Sequence, residues 1–181
     1  MIKTIARVLP RFKKAIIAYA QKRPYSHIKN EDGTPYMDRW WLMPKFLLTK
    51  DENGYLHPRS WCPFLIRLHH IRSSDYDREL HDHPADYRTI LLDGGYVEMD
   101  VFKKTRILLM GETIKARAQT FHRITTITNG GVWTIFIMRK KCNEWGFLVE
   151  GGYKVGHRSY SKNKKTYLNN TNKPTTTQEI K

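Results

Sequence analysis

The spacing of its strand signals constrains this chain more than any other feature. From Thr89 to Tyr153, short apolar segments follow one another, split by glycine turns at Asp93-Gly94-Gly95, Gly111-Glu112 and Asn129-Gly130-Gly131. Tyr96 to Val101 alternates apolar with polar side chains, the period-two pattern of a strand with one buried face. No helical repeat lies among these segments, so they predict a closed β architecture. A length of 181 residues allows one domain with a real core and is too short for two comfortable ones.

The segments upstream extend the series. Arg39 to Leu48, dense in aromatic and branched residues, predicts a first strand, and Asp51-Glu52-Asn53-Gly54 a reversal toward Tyr55 and Leu56. Trp40, Trp41 and Trp61 are expected in a core, the alternative being a stacking platform for a base or sugar. Phe64 to Ile71 predicts a further strand, on which either His69 or His70 reaches the interior, depending on phase. Residues 21–38 read as a linker, punctuated by Pro24, Asn30, Asp32, Gly33 and Pro35. Before it, Ile2, Ile5, Leu9, Phe12, Ile16 and Tyr19 recur at steps of three and four, predicting an amphipathic helix that Pro10 should kink or restart. Its stripe is expected to pack across the barrel, the alternative being an interfacial helix with Arg7, Arg11, Lys13 and Lys14 on phosphates or lipid headgroups. From Ser159 on, almost nothing apolar is left to bury, which predicts a disordered tail. The expected organisation is a basic helix and linker over 1–37, a β-barrel over 38–158 and a basic polar tail over 159–181.

The net charge of +15 sits mostly at the two ends. Residues 1–25 carry seven basic and no acidic side chains, residues 158–181 six basic and one acidic, leaving the body between them at only +3. Two basic arms on a near-neutral body fit contact with nucleic acid or an anionic membrane face, or simply solvated ends that keep the protein soluble. Cys62 and Cys142 form no disulfide framework and no C-x-x-C pair, as expected of a reducing cytosol. No apolar run reaches transmembrane length and the N-terminus lacks the pattern of a signal peptide, so a soluble, cytoplasmic protein is expected.

His81 and His83 stand two apart in Glu79-Leu-His-Asp-His-Pro-Ala-Asp-Tyr-Arg, so an extended strand points both imidazoles to one side, where they can grip one metal ion. A third histidine, His122, ends the stretch that opens at Gly111.

Together these stretches resemble the cupin superfamily, whose first motif reads G-x5-H-x-H-x(3,4)-E-x6-G and whose second reads G-x5-P-x-G-x2-H-x3-N. His81, His83 and Gly95 match the first motif, Gly111 and His122 the second. Asp75 stands at the first motif's opening glycine and Arg88 at its glutamate position, while Arg117, Gln119 and Thr126 replace the second motif's proline, glycine and asparagine. The likeness is closer to small cupin-like proteins of bacteria and their phages, through His81 to Pro84, Gly94 to Tyr96, His122 to Ile124, Trp133-Thr134 and Trp145 to Phe147. It covers roughly 38–158.

The resemblance implies an all-β, cupin-type double-stranded β-helix, a jelly-roll barrel, to which the sequence pattern adds an N-terminal helix and a disordered C-terminal tail. It implies that His81, His83 and His122 bind a divalent transition metal (Fe, Mn, Zn or Ni) and that the protein is a metal-dependent oxygenase or isomerase for a small anionic or nucleotide-like ligand. A homodimer is compatible with it. Asp86, two residues from Arg88 and so on the same side of a regular strand, is a candidate to replace the missing carboxylate, with Arg88 as a clamp for an anionic substrate. The alternative for this pair is an internal salt bridge. A second functional reading is a non-catalytic, phage-encoded binding protein that keeps the barrel as scaffold and holds nucleic acid or a host protein through its basic arms.

Overall fold

The computed structural model describes residues 2–23, 25–30, 32–75 and 79–170, with side chains described from residue 12 to residue 163 within those limits, that of Tyr25 excepted. Helix α1 (Ile2–Gln21) is followed by β1 (Tyr25–Lys29) and β2 (Pro35–Trp41), and then by a short 3-10 turn, Lys45–Leu47. The small hairpin β3 (Leu48–Lys50) and β4 (Leu56–Pro58) leads to β5 (Phe64–Ile71), β6 (Leu80–His81), β7 (Tyr87–Asp93), β8 (Gly95–Asp100) and β9 (Thr105–Leu109). The chain continues through β10 (Thr113–Ala116), β11 (His122–Ile127), β12 (Val132–Arg139), β13 (Gly146–Leu148) and β14 (Lys154–Gly156), and α2 (His157–Asn170) follows.

The strands form two six-stranded sheets, ordered β1-β2-β5-β12-β7-β10 and β14-β13-β6-β11-β8-β9, with every pairing antiparallel. Their inner faces meet over Ile71, Leu91, Tyr96, Leu108, Ile114, Ile124 and Val132. Leu91 and Val132 are wholly buried, each contributing about 1.5–3 kcal/mol by leaving water. Gly95 lets β9 approach β8: a Cβ there would stand 2.6 Å from the Leu108 carbonyl oxygen. This is the expected closed β architecture.

Register fixes what the first sheet offers to the interior. Arg39 pairs His69, His69 pairs Thr134, and Thr134 pairs Leu91. In the next row Trp41 pairs Arg67, Arg67 pairs Phe136, and Phe136 pairs Thr89. Directly opposed residues on antiparallel strands share a face, so each row runs across the sheet wall.

Helix α1 packs on the other face of that sheet. Ile16, Ile17 and Ala20 meet Leu68, Leu92, Trp40, Trp133 and Ile135, and Lys13 pairs with Asp93 at 2.6 Å. Of the apolar stripe Ile16 thus packs on the sheet while Phe12 and Tyr19 are exposed, the side chains of Ile2, Ile5 and Leu9 lie outside the described set, and the helix runs through Pro10 without being divided. Trp40 and Trp41 are core residues as expected, whereas Trp61 is exposed. Both cysteines are free.

Two boundaries differ from the sequence reading. The segment read as a linker contains the β1–β2 hairpin, because the Asp32-Gly33 turn joins two runs that pair from Tyr25 to Trp40. The segment read as tail starts with α2, because Tyr160, only 1% exposed, stacks on Phe147 at 4.1 Å and donates a hydrogen bond to Glu79. The rest of the tail, residues 171–181, and the basic side chains of residues 2–11 and 164–181 lie outside the described set. No helix among the described residues is long and apolar enough to cross a membrane.

Candidate metal centre and its cavity

His81 ends the two-residue strand β6, which is wedged between β11 and β13 so that His81 pairs with His122 on one side and Phe147 on the other. Asp82 then turns away into a staple. Its carboxylate, 1% exposed, accepts hydrogen bonds from Gly146 N at 2.7 Å, Asn143 Nδ2 at 2.8 Å and Lys154 Nζ at 2.7 Å. Asn143 also donates to the His83 carbonyl at 2.9 Å. These bonds lock the turn on either side of Asp82, so that His81 and His83 both line the cavity. Gly146 is required in the staple, since a Cβ there would lie 2.1 Å from the Val155 carbonyl oxygen.

The three histidines converge as their spacing predicted. His83 Nε2 lies 2.9 Å from His122 Nε2, and one ligand nitrogen from each of His81, His83 and His122 falls within 4.8 Å of the others. Two nitrogens bound at right angles to one ion, each about 2.1 Å from it, would be about 3 Å apart, so the pair suits a single coordinated cation. Carboxylates stand behind two of the rings: Glu98 Oε2 is 3.3 Å from His122 Nδ1, and Asp75 Oδ2 is 3.9 Å from His81 Nδ1. Neither contact is an aligned hydrogen bond, so the carboxylates act on the two rings through their charge, on the side away from His83 Nε2 in the case of His122.

Electrostatics point the same way. Burial, and then the neighbouring rings of His81 and His122, hold His83 well below the usual histidine range, in the neutral form that ligates metals. For Glu98 burial alone would raise the carboxyl, yet the contact with His122 and the ion pair with Arg106 outweigh it and keep it low, hence ionised.

One residue at the site was missed by sequence reasoning. The Tyr87 hydroxyl is 3.2 Å from His122 Nε2, and its ring lies 4.3 Å from that of His83. The signal was in the motif itself. Three residues between His83 and the motif's glutamate place that position at Tyr87, whereas four place it at Arg88.

Asp86 and Arg88 are not brought to the histidines. Tyr87 and Thr89 face inward on β7, which turns the exposed Arg88 outward. Asp86 Oδ1 accepts a hydrogen bond from Ala118 N at 2.9 Å. Both line a separate open groove of about 510 Å³ together with Lys115, Arg117 and Arg139. Of the adjacent pair on β5, His69 lines the inner cavity with its ring on Phe136 at 4.9 Å, and His70 stacks on Trp133 at 4.1 Å.

The inner cavity has a volume of about 270 Å³ and lies between the two sheets. The second sheet brings His81 and His122 to it, the first sheet brings Arg39, Arg67, His69 and Tyr87, and His83 enters from the segment between β6 and β7.

No family model matches the sequence, and no curated protein matches it. Solved structures do match. A cupin 2 conserved barrel domain protein from Rhodopseudomonas palustris aligns at 11% identity and TM-score 0.51, over 72% of this chain and 80% of its own. A cupin-2 domain protein from Rhodospirillum rubrum aligns at 10% identity and TM-score 0.52, over 72% and 78%. The iron(II) form of HppE aligns at 12% identity and TM-score 0.47, over 66% and 57%, so this chain spans little more than half of that protein. The chain has the cupin fold.

Proposed function

We propose that this chain is a metal-dependent cupin-fold protein, with one divalent transition ion held by His81, His83 and His122 and chemistry carried out on a small molecule in the adjoining cavity. The observation that supports this reading most is the approach of three imidazole nitrogens within 4.8 Å on the wall of the inner cavity. The donor set fits such an ion: neutral nitrogens and few protein ligands suit Fe, Mn, Zn or Ni and leave positions open toward the cavity. When bound, the ion supplies a Lewis acid, or for iron an oxygen-activating centre, which covers the oxygenase and isomerase classes. The residues themselves position and exclude. Glu98 and Asp75 orient two rings, the staple at Asp82 fixes His81 and His83, and Phe136, Met138 and Trp145 among the cavity walls limit water.

Elemental analysis of protein purified without a metal-affinity column tests the reading. About one transition ion per chain is expected, lost in a His81→Ala, His122→Ala double variant. Metal content equal in that variant and the wild type would overturn it.

A further inference from the structure

The sheet facing His81 and His122 carries two positive charges that no carboxylate meets among the described residues. Arg39 and Arg67 are half-buried and line the same cavity as His81, His83 and His122. Among the described residues neither has a carboxylate within 4.0 Å. Arg39 uses its Nε on Ser26 Oγ at 3.0 Å, and Arg67 lies over the Trp41 ring at 4.2 Å. Both guanidinium planes are therefore held while, among the described residues, their terminal amines meet no hydrogen-bond acceptor. The two carboxylates that reach the cavity are engaged elsewhere. Asp75 accepts from the Tyr36 hydroxyl and from Ile124 N, each at 2.5 Å, and Asp82 belongs to the staple.

Placing two like charges side by side in a partly desolvated wall is unfavourable unless an anion joins them. Burial, and then the charge of Arg39, pull the Arg67 guanidinium down to about 10. Burial and these same two charges also drive His69, which pairs with Arg39 and stands two residues from Arg67 on β5, well below the usual histidine range. The neighbouring Thr134 hydroxyl is buried and has no hydrogen-bond partner. A wall with two guanidiniums, a neutral imidazole and an unpartnered hydroxyl complements an oxyanion, which guanidinium forks hold through paired hydrogen bonds.

We propose that Arg39 and Arg67 form an oxyanion-binding subsite, so that the cavity takes a small carboxylic acid whose carboxylate sits on the arginines and whose other end faces the three histidines. This assignment rests on the metal-site reading only for what the far end of the ligand meets; the arginine subsite stands on its own residues. The cavity volume of about 270 Å³ suits a small metabolite and is too small for a polymer. It also moves the anion clamp from Arg88, on the outer groove, to the inner wall.

The experiment is calorimetric titration of zinc-loaded and chelator-treated protein with malonate, methylphosphonate and malonamide. Malonate is expected to bind and the uncharged malonamide not to. Methylphosphonate separates carboxylate from phosphoryl recognition: binding tighter than malonate would overturn the carboxylate assignment. Arg39→Gln and Arg67→Gln should each weaken malonate at least tenfold, Arg39→Lys and Arg67→Lys less, and Arg88→Gln less than twofold, with zinc stoichiometry unchanged in all. Circular dichroism identifies any variant that fails to fold, and the lysine variants then carry the test. Arginine-dependent malonate binding by protein that takes up no metal would support the subsite while the metal reading falls. Zinc binding with malonate affinity indifferent to both arginines would overturn the subsite while the metal reading stands.

Discussion

His122 Nδ1 lies 3.3 Å from Glu98 Oε2, while Arg106 holds the other Glu98 oxygen at 2.7 Å. The carboxylate is thus kept ionised beside one ring nitrogen, leaving the other for a ligand. Glu98→Gln is expected to lower metal affinity about 10- to 100-fold without unfolding the chain. Competition against a coloured chelator measures it, and an affinity within twofold of the wild type would show that Glu98 does not orient the ring.

The Asp82 staple couples stability to the site. Asp82→Ala removes three accepted hydrogen bonds and leaves Gly146 N buried without a partner, a loss of about 1–3 kcal/mol for that group alone. Urea denaturation should register at least this much, and metal stoichiometry should fall as His81 and His83 lose their fixed spacing. Lys154→Ala, whose side chain is partly exposed, should cost less and leave the stoichiometry intact.

Tyr160 ties α2 to the second sheet. Tyr160→Phe strands the buried Glu79 carboxylate, and a destabilisation of about 1–3 kcal/mol is expected. Limited proteolysis should accordingly leave a core that extends past Tyr160. A stable core ending near residue 158 would count against the docking of this helix.

Acid should destabilise the metal-free protein through His69 and His83. Burial holds both well below the ordinary value, so between their folded values and about 6.5 the unfolded chain binds protons that the native state refuses. The stability they contribute is complete above about 6.5 and falls as the pH drops, by up to about 1.4 kcal/mol per pH unit for each histidine. Thermal melts from pH 7 to 5 should show the decline, and His69→Phe should flatten it. Melting temperatures that stay level over this range in the wild type would contradict neutral burial.

The histidine triad was legible in the sequence because each half of it is local. His81 and His83 share a short turn, and Gly111 to His122 keeps a motif's length. Arg88 was misplaced because β7 has no clear polar face. Tyr87, Thr89 and Leu91 line the interior, while Leu92 on the other side packs beneath α1. With both faces part apolar, alternation could not set the phase. Tyr160 was overlooked for a related reason: two tyrosines, Tyr160 and Tyr167, in a run of lysine, serine and asparagine are too sparse to mark a buried face, yet Tyr160 docks the helix. Arg39 and Arg67 could not be paired from sequence at all. They become neighbours only through the β2–β5 register, 28 positions apart in the chain.

The metal-ligand strands β6 and β11 belong to one sheet, and the arginine strands β2 and β5 to the other. The space between charge and histidines is therefore set by how far apart the two sheets stand, and side chains such as Phe136 and Ile124 act as spacers. Ligands would be sorted by length as well as by charge. In a homologous series of straight-chain acids, affinity should peak at one chain length and fall on both sides. Shaving a spacer, as in Phe136→Leu, should move that peak without touching either end of the ligand.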